Sequence, residues 1–235
     1  MLPICGLQKT TLLDFPGLVA CTIFLGGCNF SCPYCHNSEL IHLNKNQIIY
    51  SESDVLNFLM KRQGILEGVC ITGGEPTLSP TLPAFIKKVK ALGFQVKLDT
   101  NGSNPDMLKH LVNENIIDYI AMDIKNSIVN YAKTIGGLSA SLDNIISSIN
   151  YIKSLNIPYE FRTTLVAELH TEEDIISIGR LLEGNSRFYL QNYKDSEQVL
   201  HRVYSPVSTK QAEYYLSLLK PYVPNSTLRG IDDNL

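Results

Sequence analysis

The sequence has little charge and no long apolar run. Charged residues make up 18% of its 235 residues, and the formal net charge is −3. A weakly acidic chain with scattered basic residues lacks the positive surface that attracts nucleic acids and acidic membranes, so neither is an expected partner. The longest apolar stretch, residues 18–25, is far shorter than the ~20 residues of a membrane-spanning helix. Because no basic and apolar secretory signal opens the chain, we expect a cytoplasmic protein.

Cysteine is scarce outside one short loop. Six cysteines occur, and Cys5, Cys21 and Cys70 stand alone in apolar segments, where we predict small buried side chains. A reducing compartment does not support a disulfide framework. The other three cysteines lie close together and need a different explanation.

Strand-like and helix-like segments alternate along the chain. Short apolar or β-branched runs predict six strands, at residues 19–25, 68–72, 95–99, 119–123, 159–165 and 187–191. Helical spacing of apolar residues, with Ser, Thr or Asn caps, predicts helices at 51–62, 82–92, 105–113, 139–155, from 171, and at 209–219. This alternation predicts an α/β fold with a parallel sheet, in one domain spanning residues 1–235.

The three clustered cysteines, Cys28, Cys32 and Cys35, belong to residues 26–37 (GGCNFSCPYCHN), which we call the cysteine loop. Three thiolates on so short a loop can converge on one soft metal centre. A four-iron cluster normally takes four cysteine ligands, so three would leave one iron open to a small molecule. The alternative is a zinc knuckle, which needs four tetrahedral ligands. It is disfavoured because His36 is directly adjacent to Cys35 and no second Cys-x2-Cys pair follows.

A glycine pair suited to ligand binding follows the second predicted strand. There the chain runs Gly73-Gly74-Glu75-Pro76, and the two glycines would let the backbone approach a ligand closely. The alternative is an ordinary Gly-Gly turn with Glu75 facing the solvent.

Carboxylates end the next two strands. Asp99, followed by Thr100, ends one strand, and Asp123 ends the other, with Lys125 on the same face by strand alternation. Two carboxylates at adjacent strand ends repel each other unless a cation lies between them. The alternative is that these residues cap helices or form surface ion pairs.

The cysteine loop and these motifs together resemble the radical S-adenosylmethionine (radical SAM) enzymes. The leader Leu13-Asp14-Phe15-Pro16-Gly17 and the tail at 221–230 are similar to the activating proteins of anaerobic ribonucleoside-triphosphate reductase. The resemblance covers nearly the whole chain. It implies a partial (β/α)6 TIM-like barrel, with a parallel sheet open on one side and the activity at the C-terminal ends of the strands.

The resemblance also implies roles for the clustered residues. Cys28, Cys32 and Cys35 would be the catalytic ligands of a [4Fe-4S] cluster, and Tyr34 would lie against the adenine of S-adenosylmethionine. The turn formed by Gly73, Gly74 and Glu75 would receive the amino group of that cofactor.

Other roles fall on the later strand ends. Lys125 would meet the cofactor carboxylate, and Asp99, Thr100 and Asp123 would hold a monovalent cation beside it. Further cofactor contacts are expected from Asn37, Thr164 and Gln191, and contacts with the substrate backbone from Asp14 and Arg162. Tyr193 stands where the family often has a histidine that contacts the cofactor. His170 and His201 stand alone in predicted loops, where we expect them to be solvated.

The function implied is activation of a glycyl-radical enzyme. Reductive cleavage of S-adenosylmethionine would give a radical that takes hydrogen from a backbone glycine of anaerobic ribonucleoside-triphosphate reductase, with flavodoxin or ferredoxin as electron donor. Three alternatives stay open. They are activation of pyruvate formate-lyase or another glycyl-radical enzyme, a small-molecule radical enzyme such as a deazaguanine synthase, and an electron-transfer or zinc-stabilised scaffold that is not an enzyme.

Overall fold

In the computed structural model, which describes residues 1–43, 48–137 and 141–231, eight strands form one sheet. The strands are β1 (Ile4–Thr11), β2 (Ala20–Leu25), β3 (Gly68–Gly73), β4 (Gln95–Thr100), β5 (Tyr119–Asp123), β6 (Tyr159–Leu165), β7 (Phe188–Asn192) and β8 (Ser226–Arg229). They lie side by side in chain order; β1 is antiparallel to β2, and every later pair is parallel. Within the described residues no pairing joins β8 to β1, so the barrel is open. The predicted α/β fold, a TIM-like parallel sheet open on one side, is confirmed.

The six predicted strands are β2–β7, and the structure adds one strand at each edge of the sheet. β1 is exposed at residues 8–10, and β8 contains four residues. Neither therefore has the continuous apolar run or the regular alternation that predicts a strand. Both are defined by their pairing with a neighbouring strand.

Seven α-helices within the described residues connect the strands: α1 (Glu52–Met60), α2 (Leu82–Ala91), α3 (Pro105–Asn113), α4 (Tyr131–Thr134), α5 (Leu142–Lys153), α6 (Glu172–Leu182) and α7 (Thr209–Leu219). The sequence predicts a serine cap for α1, at Ser51 or Ser53, and in the structure the cap is Ser51. Ser51 Oγ accepts a hydrogen bond from the Asp54 N–H (3.1 Å), and the Asp54 carboxylate accepts one from the Ser51 N–H (2.9 Å). This reciprocal cap satisfies two backbone donors at the start of the helix. The helix predicted from residue 139 is described from Leu142, with Ser141 as its cap; residues 138–140 lie outside the described residues.

The two faces of the sheet differ because side chains alternate along each strand. On one face Val96, Leu98, Ile120 and Met122 have no exposed surface. They share the main hydrophobic core with the apolar sides of the helices, such as Phe85 of α2. Burial of this face supplies the main driving force for folding.

The other face of the sheet is concave and polar. Arg162 of β6 contacts Asp99 of β4 (3.2 Å), and Arg229 of β8 contacts Glu160 of β6 (2.9 Å). Each pair spans an intervening strand, and in a flat sheet the two backbones would lie about 10 Å apart. These contacts fit a sheet that is curled towards this face, as in a barrel.

The N-terminal ends of the parallel strands are closed by the segment that follows β1. Phe15 packs against Tyr119 with ring centroids 6.0 Å apart, in a small cluster with Ala20 and Leu18. A Cβ atom on Gly68 would lie 2.7 Å from the Phe15 ring, so the ring fills the space there. Because this end of the barrel is closed, the end that a ligand can enter lies at the C-terminal ends of the strands. In the described parts of the chain, none of the helices has the length and apolar character needed to cross a membrane.

Candidate active site

A cavity of about 250 Å³ opens at the C-terminal edge of the sheet. Its walls come from the cysteine loop, from the turns after β3 and β4, and from the ends of β5 and β6. The lining residues are Cys28, Phe30, Cys32, Tyr34, Cys35, His36, Asn37, Ile41, Thr72, Gly73, Gly74, Glu75, Asp99, Thr100, Asn101, Asp123, Lys125, Arg162 and Thr164. All but two of the predicted site residues therefore lie around one space.

The two exceptions are Asp14 and Gln191. Asp14 follows β1 near the N-terminal ends of the parallel strands, where its carboxylate accepts a hydrogen bond from Thr22 Oγ1 at 2.5 Å. Gln191 lies on β7, paired in register between Thr164 and Arg229. Neither side chain lines the cavity.

The cysteine loop is held by backbone hydrogen bonds from several segments. The Gly27 N–H donates to the Leu40 carbonyl (2.7 Å), and the Ser31 N–H donates to the Ile135 carbonyl (3.0 Å). At the second contact a Cβ atom on Gly136, whose φ is +89°, would lie 2.4 Å from the Ser31 carbonyl oxygen. Only glycine allows this approach. Residues outside the cysteine loop therefore help to fix its position.

The three thiols of the loop are largely buried. Burial raises the pKa of Cys28 to about 11 and that of Cys32 to about 12, and it also raises the pKa of Cys35. In each case the nearby positive charge of Lys125 opposes this effect and favours the thiolate. Metal loading would therefore displace protons from these groups.

The thiols are not arranged around one point. Among the described residues, no three His, Cys, Asp or Glu side chains are grouped so as to hold a single metal ion. A four-iron cluster offers a separate iron to each thiolate, so its ligands need not converge. Cys5, Cys21 and Cys70 are buried as predicted and lie outside the cavity lining.

Glu75 faces inward, with 2% of its surface exposed, so the alternative of a solvent-facing side chain is wrong. Its Oε1 accepts hydrogen bonds from the Thr77 N–H (3.1 Å), Thr77 Oγ1 (2.5 Å) and Thr100 Oγ1 (2.8 Å). Its Oε2 accepts from the Asn101 N–H at 2.6 Å. Burial raises the pKa of Glu75, although these hydrogen bonds stabilise the ionised form. The carboxylate thus joins the turn after β3 to the turn after β4.

The glycines before Glu75 are required by close contact with the backbone of the protein itself. A Cβ atom on Gly73, whose φ is +116°, would lie 2.3 Å from the Leu25 carbonyl oxygen. A Cβ atom on Gly74 would lie 2.1 Å from the Gly27 carbonyl oxygen. The Asn37 side chain donates to the Gly73 carbonyl at 3.4 Å. This packing seats residues 73–75, here called the 73–75 turn, against the cysteine loop.

The floor of the cavity is a network of ion pairs. Arg162 bridges the two carboxylates: its Nη1 lies 3.2 Å from Asp99 Oδ2, and its Nε lies 2.8 Å from Asp123 Oδ1. Lys97 pairs with Asp99, and Lys125 Nζ lies 3.0 Å from Asp123 Oδ2. Although burial opposes ionisation, these cations hold the pKa of Asp99 below its usual range and that of Asp123 well below it. The alternative interpretation expected surface ion pairs, whereas these pairs are partly buried in the cavity floor.

Sequence reasoning missed Lys97, although the pattern contained a signal. In β4 (QVKLDT) the alternation that directs Asp99 into the barrel directs Lys97 there as well. Lys97 is 1% exposed, and its Nζ lies 5.9 Å from the centre of the Tyr119 ring. It forms a second layer beneath the cavity.

His170 is buried, with 2% of its surface exposed, so the expectation of a solvated side chain is wrong. Its Nδ1 accepts from the Val166 N–H at 3.1 Å, and its Nε2 lies 3.0 Å from the Lys125 carbonyl oxygen. The loop after β6 folds back over the end of β5 and so encloses the ring. His170 therefore fixes the backbone of Lys125, whereas His201 is exposed as expected.

Tyr193 is also buried and does not line the cavity. Its ring packs against His36 at a centroid distance of 5.8 Å, and its hydroxyl donates to Asp195 at 3.3 Å. Tyr193 therefore packs behind the cysteine loop.

The sequence of residues 22–182 matches the family model of the radical SAM superfamily, and this segment is more than half of the chain. The chain belongs to the radical SAM superfamily. The match includes the cysteine loop and every strand end that lines the cavity.

Relatives of this radical SAM protein include two activating enzymes. A protein of Methanocaldococcus jannaschii whose provisional name is glycyl-radical enzyme activating enzyme is 29% identical, over 97% of this chain and 96% of its own length. The pyruvate formate-lyase-activating enzyme of Staphylococcus epidermidis is 26% identical over 76% of this chain and 74% of its own. A 7-carboxy-7-deazaguanine synthase of Neisseria meningitidis is 33% identical, but over 46% of this chain and 45% of its own.

Solved structures share the same fold. A domain of the pyruvate-formate lyase-activating enzyme from Bacteroides vulgatus superposes with a TM-score of 0.55 at 21% identity, covering 70% of this chain and 99% of that one. QueE from Escherichia coli superposes with a TM-score of 0.56 at 18% identity, covering 97% and 93%. At these identities the likeness concerns the fold alone.

Membership of the radical SAM superfamily implies a [4Fe-4S] cluster and S-adenosylmethionine, and the residues of the cavity fit both. The three thiols beside one lysine cation would be the residues that hold the cluster. The Tyr34 hydroxyl is buried in the cavity wall and has no hydrogen-bond partner among the described residues. Buried polar atoms are rarely left unpaired, so this hydroxyl favours a polar ligand in the cavity.

Proposed function

We propose that this radical SAM protein is a glycyl-radical enzyme activating enzyme and that its target is anaerobic ribonucleoside-triphosphate reductase. The observation that carries the proposal is one cavity lined by Cys28, Cys32, Cys35, the 73–75 turn and Lys125. The likeness to the Methanocaldococcus jannaschii protein along the full chain supports an activating enzyme over other radical chemistry.

In this proposal Cys28, Cys32 and Cys35 hold the [4Fe-4S] cluster. With S-adenosylmethionine bound and one electron supplied by flavodoxin or ferredoxin, the cluster provides the reductive cleavage that yields methionine and a 5′-deoxyadenosyl radical able to take hydrogen from glycine. The protein's own contribution is to bind, orient and shield the reacting groups. Holding the reacting atoms in place converts a bimolecular step into one within a single complex.

The chain's own groups suit the two ends of the S-adenosylmethionine molecule. Lys125 carries a positive charge at the floor of the cavity, because Asp123 keeps its pKa well above the usual value although burial acts in the opposite direction. It would receive the methionine carboxylate. Carbonyl oxygens of the 73–75 turn would accept from the amino group, and the ring and unpaired hydroxyl of Tyr34 would meet the adenine.

The choice of reductase as target rests on sequence features. The leader at residues 13–17 and the tail at 221–230 are those that resemble the reductase activases, whereas pyruvate formate-lyase activases carry Asp-Gly-Pro-Gly in the leader. No cysteine-rich insert follows the cysteine loop, which disfavours activases with accessory clusters. Asp14 lies near the other end of the barrel, so its proposed grip on the substrate backbone would act away from the cavity.

The proposal is tested with the reconstituted holoenzyme under anaerobic conditions. We expect about four irons per chain. With dithionite, S-adenosylmethionine and the reductase, a doublet glycyl signal should appear by electron paramagnetic resonance, together with 5′-deoxyadenosine. Cys28→Ala should lose the iron and the signal. Cys21→Ala, a buried thiol outside the cavity, should keep both.

Two results would redirect the assignment. A glycyl signal with pyruvate formate-lyase but not with the reductase would change the target and leave the reaction class unchanged. Turnover of a small molecule without a protein partner would favour the second candidate, a deazaguanine synthase, which is suggested by the partial likeness to the Neisseria meningitidis enzyme. No cofactor cleavage at all would refute both.

A further inference from the structure

The guanidinium of Arg162 lies in the place where a monovalent cation was expected. It donates to Asp99 Oδ2 through Nη1 (3.2 Å) and to Asp123 Oδ1 through Nε (2.8 Å). The two carboxylates end adjacent strands, and Arg162 reaches them from β6. Only 14% of the Arg162 side chain is exposed, so few water molecules could take the place of these two carboxylates as hydrogen-bond acceptors.

The charges around this bridge are already more than balanced. Each carboxylate has a second cation of its own, Lys97 at Asp99 and Lys125 at Asp123. Glu160 lies 4.0 Å from Arg162 and is paired with Arg229, so three carboxylates face four positive charges in this cluster. Adding a metal cation between Asp99 and Asp123 would bring it against the guanidinium in a partly buried region, where like charges repel more strongly than in water.

The third predicted ligand of the cation is also engaged. The Thr100 hydroxyl donates to Glu75 Oε1 at 2.8 Å and accepts from the Gly102 N–H at 3.1 Å. Its oxygen serves the link between the turns after β3 and β4. One lone pair of the hydroxyl is left, so Thr100 could give a metal ion no more than a single contact without breaking that link.

We propose that Arg162 is a built-in cation that holds Asp99 and Asp123 together, so that binding of S-adenosylmethionine needs no exchangeable monovalent ion. This inference rests on the proposed function, because it assumes that the cavity binds that molecule. Arg162 is then a positioning residue: it fixes Asp123, which in turn holds Lys125 towards the cavity. Its role lies inside the site, in place of the predicted contact with the substrate backbone.

The chemistry of arginine suits this role. The guanidinium is planar, stays charged and offers several N–H donors at fixed angles, so one side chain can serve two carboxylates. A lysine ammonium is a point charge on a flexible stem and could not reproduce both contacts at once. A glutamine keeps the approximate size but removes the charge, leaving Asp99 and Asp123 facing each other with less compensation.

The first test measures binding of S-adenosylmethionine to the oxidised, cluster-loaded protein, in which the cofactor is not consumed. Titration calorimetry is done in choline, sodium and potassium chloride, each at about 0.15 M. The wild-type Kd should agree within about twofold in the three salts, since no ion takes part. Arg162→Gln should bind about tenfold or more weakly in choline, and sodium or potassium should restore part of the affinity. Arg162→Lys should fall between the two.

The matched control is Arg202→Gln, which breaks an exposed arginine–carboxylate pair with Asp195 and should behave as wild type. Wild-type affinity that falls about tenfold in choline would overturn the proposal, because it would reveal an exchangeable ion. Weakening of Arg162→Gln by the same factor in all three salts would also overturn it. That result would mean that the substitution acts on structure alone.

A second measurement does not depend on S-adenosylmethionine. Thermal unfolding of the cluster-free protein is followed in the same three salts. The wild-type Tm should not change, whereas the Tm of Arg162→Gln should rise in sodium or potassium, since an ion bound only by the folded state stabilises it. A wild-type Tm that is raised by sodium or potassium relative to choline overturns the inference. The proposed function fails on different grounds, by absence of cofactor cleavage or of the glycyl signal.

Discussion

Glu75 Oε2 accepts a hydrogen bond from the backbone N–H of Asn101 at 2.6 Å, which ties together the ends of β3 and β4. Its Oε1 accepts three more hydrogen bonds, so this buried carboxylate receives four hydrogen bonds in the wall of the cavity. The predictions below concern this link and the other contacts that hold the site in shape.

Glu75→Gln should destabilise the protein. Both oxygens of the Glu75 carboxylate accept hydrogen bonds, so the amide NH2 group of glutamine would face a donor in either orientation. One buried N–H would then be unpaired, at a cost of about 1–3 kcal/mol. Urea denaturation of the cluster-free protein measures this free energy. Glu114→Gln, at an exposed pair with Lys87, is the control and should leave the midpoint unchanged. Equal midpoints for the two variants would mean that the Glu75 contacts contribute little.

Gly74→Ala should distort the 73–75 turn, because its Cβ atom would lie 2.1 Å from the Gly27 carbonyl oxygen. Forcing this backbone apart should cost about 3 kcal/mol or more, and affinity for S-adenosylmethionine should fall with it. Gly93→Ala is the matched control: its φ is +90°, but nothing lies within 4 Å of the new atom. Its backbone strain of about 1–2 kcal/mol should leave the affinity intact. Unchanged binding by Gly74→Ala would contradict the packing described for this turn.

Arg229→Ala should loosen the open edge of the barrel. Arg229 Nη1 and Nη2 donate to Glu160 at 2.9 and 3.0 Å, and the side chain of Glu160 is 1% exposed. Removing the arginine leaves a buried carboxylate with the Tyr119 hydroxyl as hydrogen-bond donor and Arg162 4.0 Å away, and should cost about 3 kcal/mol. Arg202→Ala removes a similar pair from the surface and should have little effect on urea denaturation. A similar loss in both variants would argue against a special role for burial.

His170 should make stability depend on pH. Burial lowers the pKa of His170, and the neutral ring accepts from the Val166 N–H. Because the unfolded chain takes up the proton more readily, this contribution is complete above about pH 6.5 and declines as the pH falls towards the lowered folded pKa. His170→Gln should lower the free energy of unfolding at about pH 8 and reduce its loss between about pH 8 and 5.5. Urea denaturation at the two pH values measures both effects, with His201→Gln as an exposed control. A slope in His170→Gln equal to that of wild type would exclude His170 as the cause.

The sequence alone was sufficient for the framework of the site. The spacing of Cys28, Cys32 and Cys35 can be read directly from the sequence, and so can the polar residues at the strand ends. Together they identified the superfamily that the family match confirmed. Strands β2–β7 were predicted because each is a short apolar run between polar turns. Parallel strands then bring their C-terminal ends to one edge, which is why most predicted site residues line a single cavity. The reductase target and the electron donor stay predictions.

Tertiary structure alone decided the electrostatics of the site. Arg162 and Asp99 are 63 residues apart in sequence, and they meet because the sheet curls across β5. The same curvature gives Glu160 its partner on β8, a strand too short to be predicted from its own residues. His170 was misjudged because its burial depends on a loop folding back onto the end of β5. Local sequence specifies which groups stand at a strand end, whereas the charges that they meet there depend on how neighbouring strands close around the barrel.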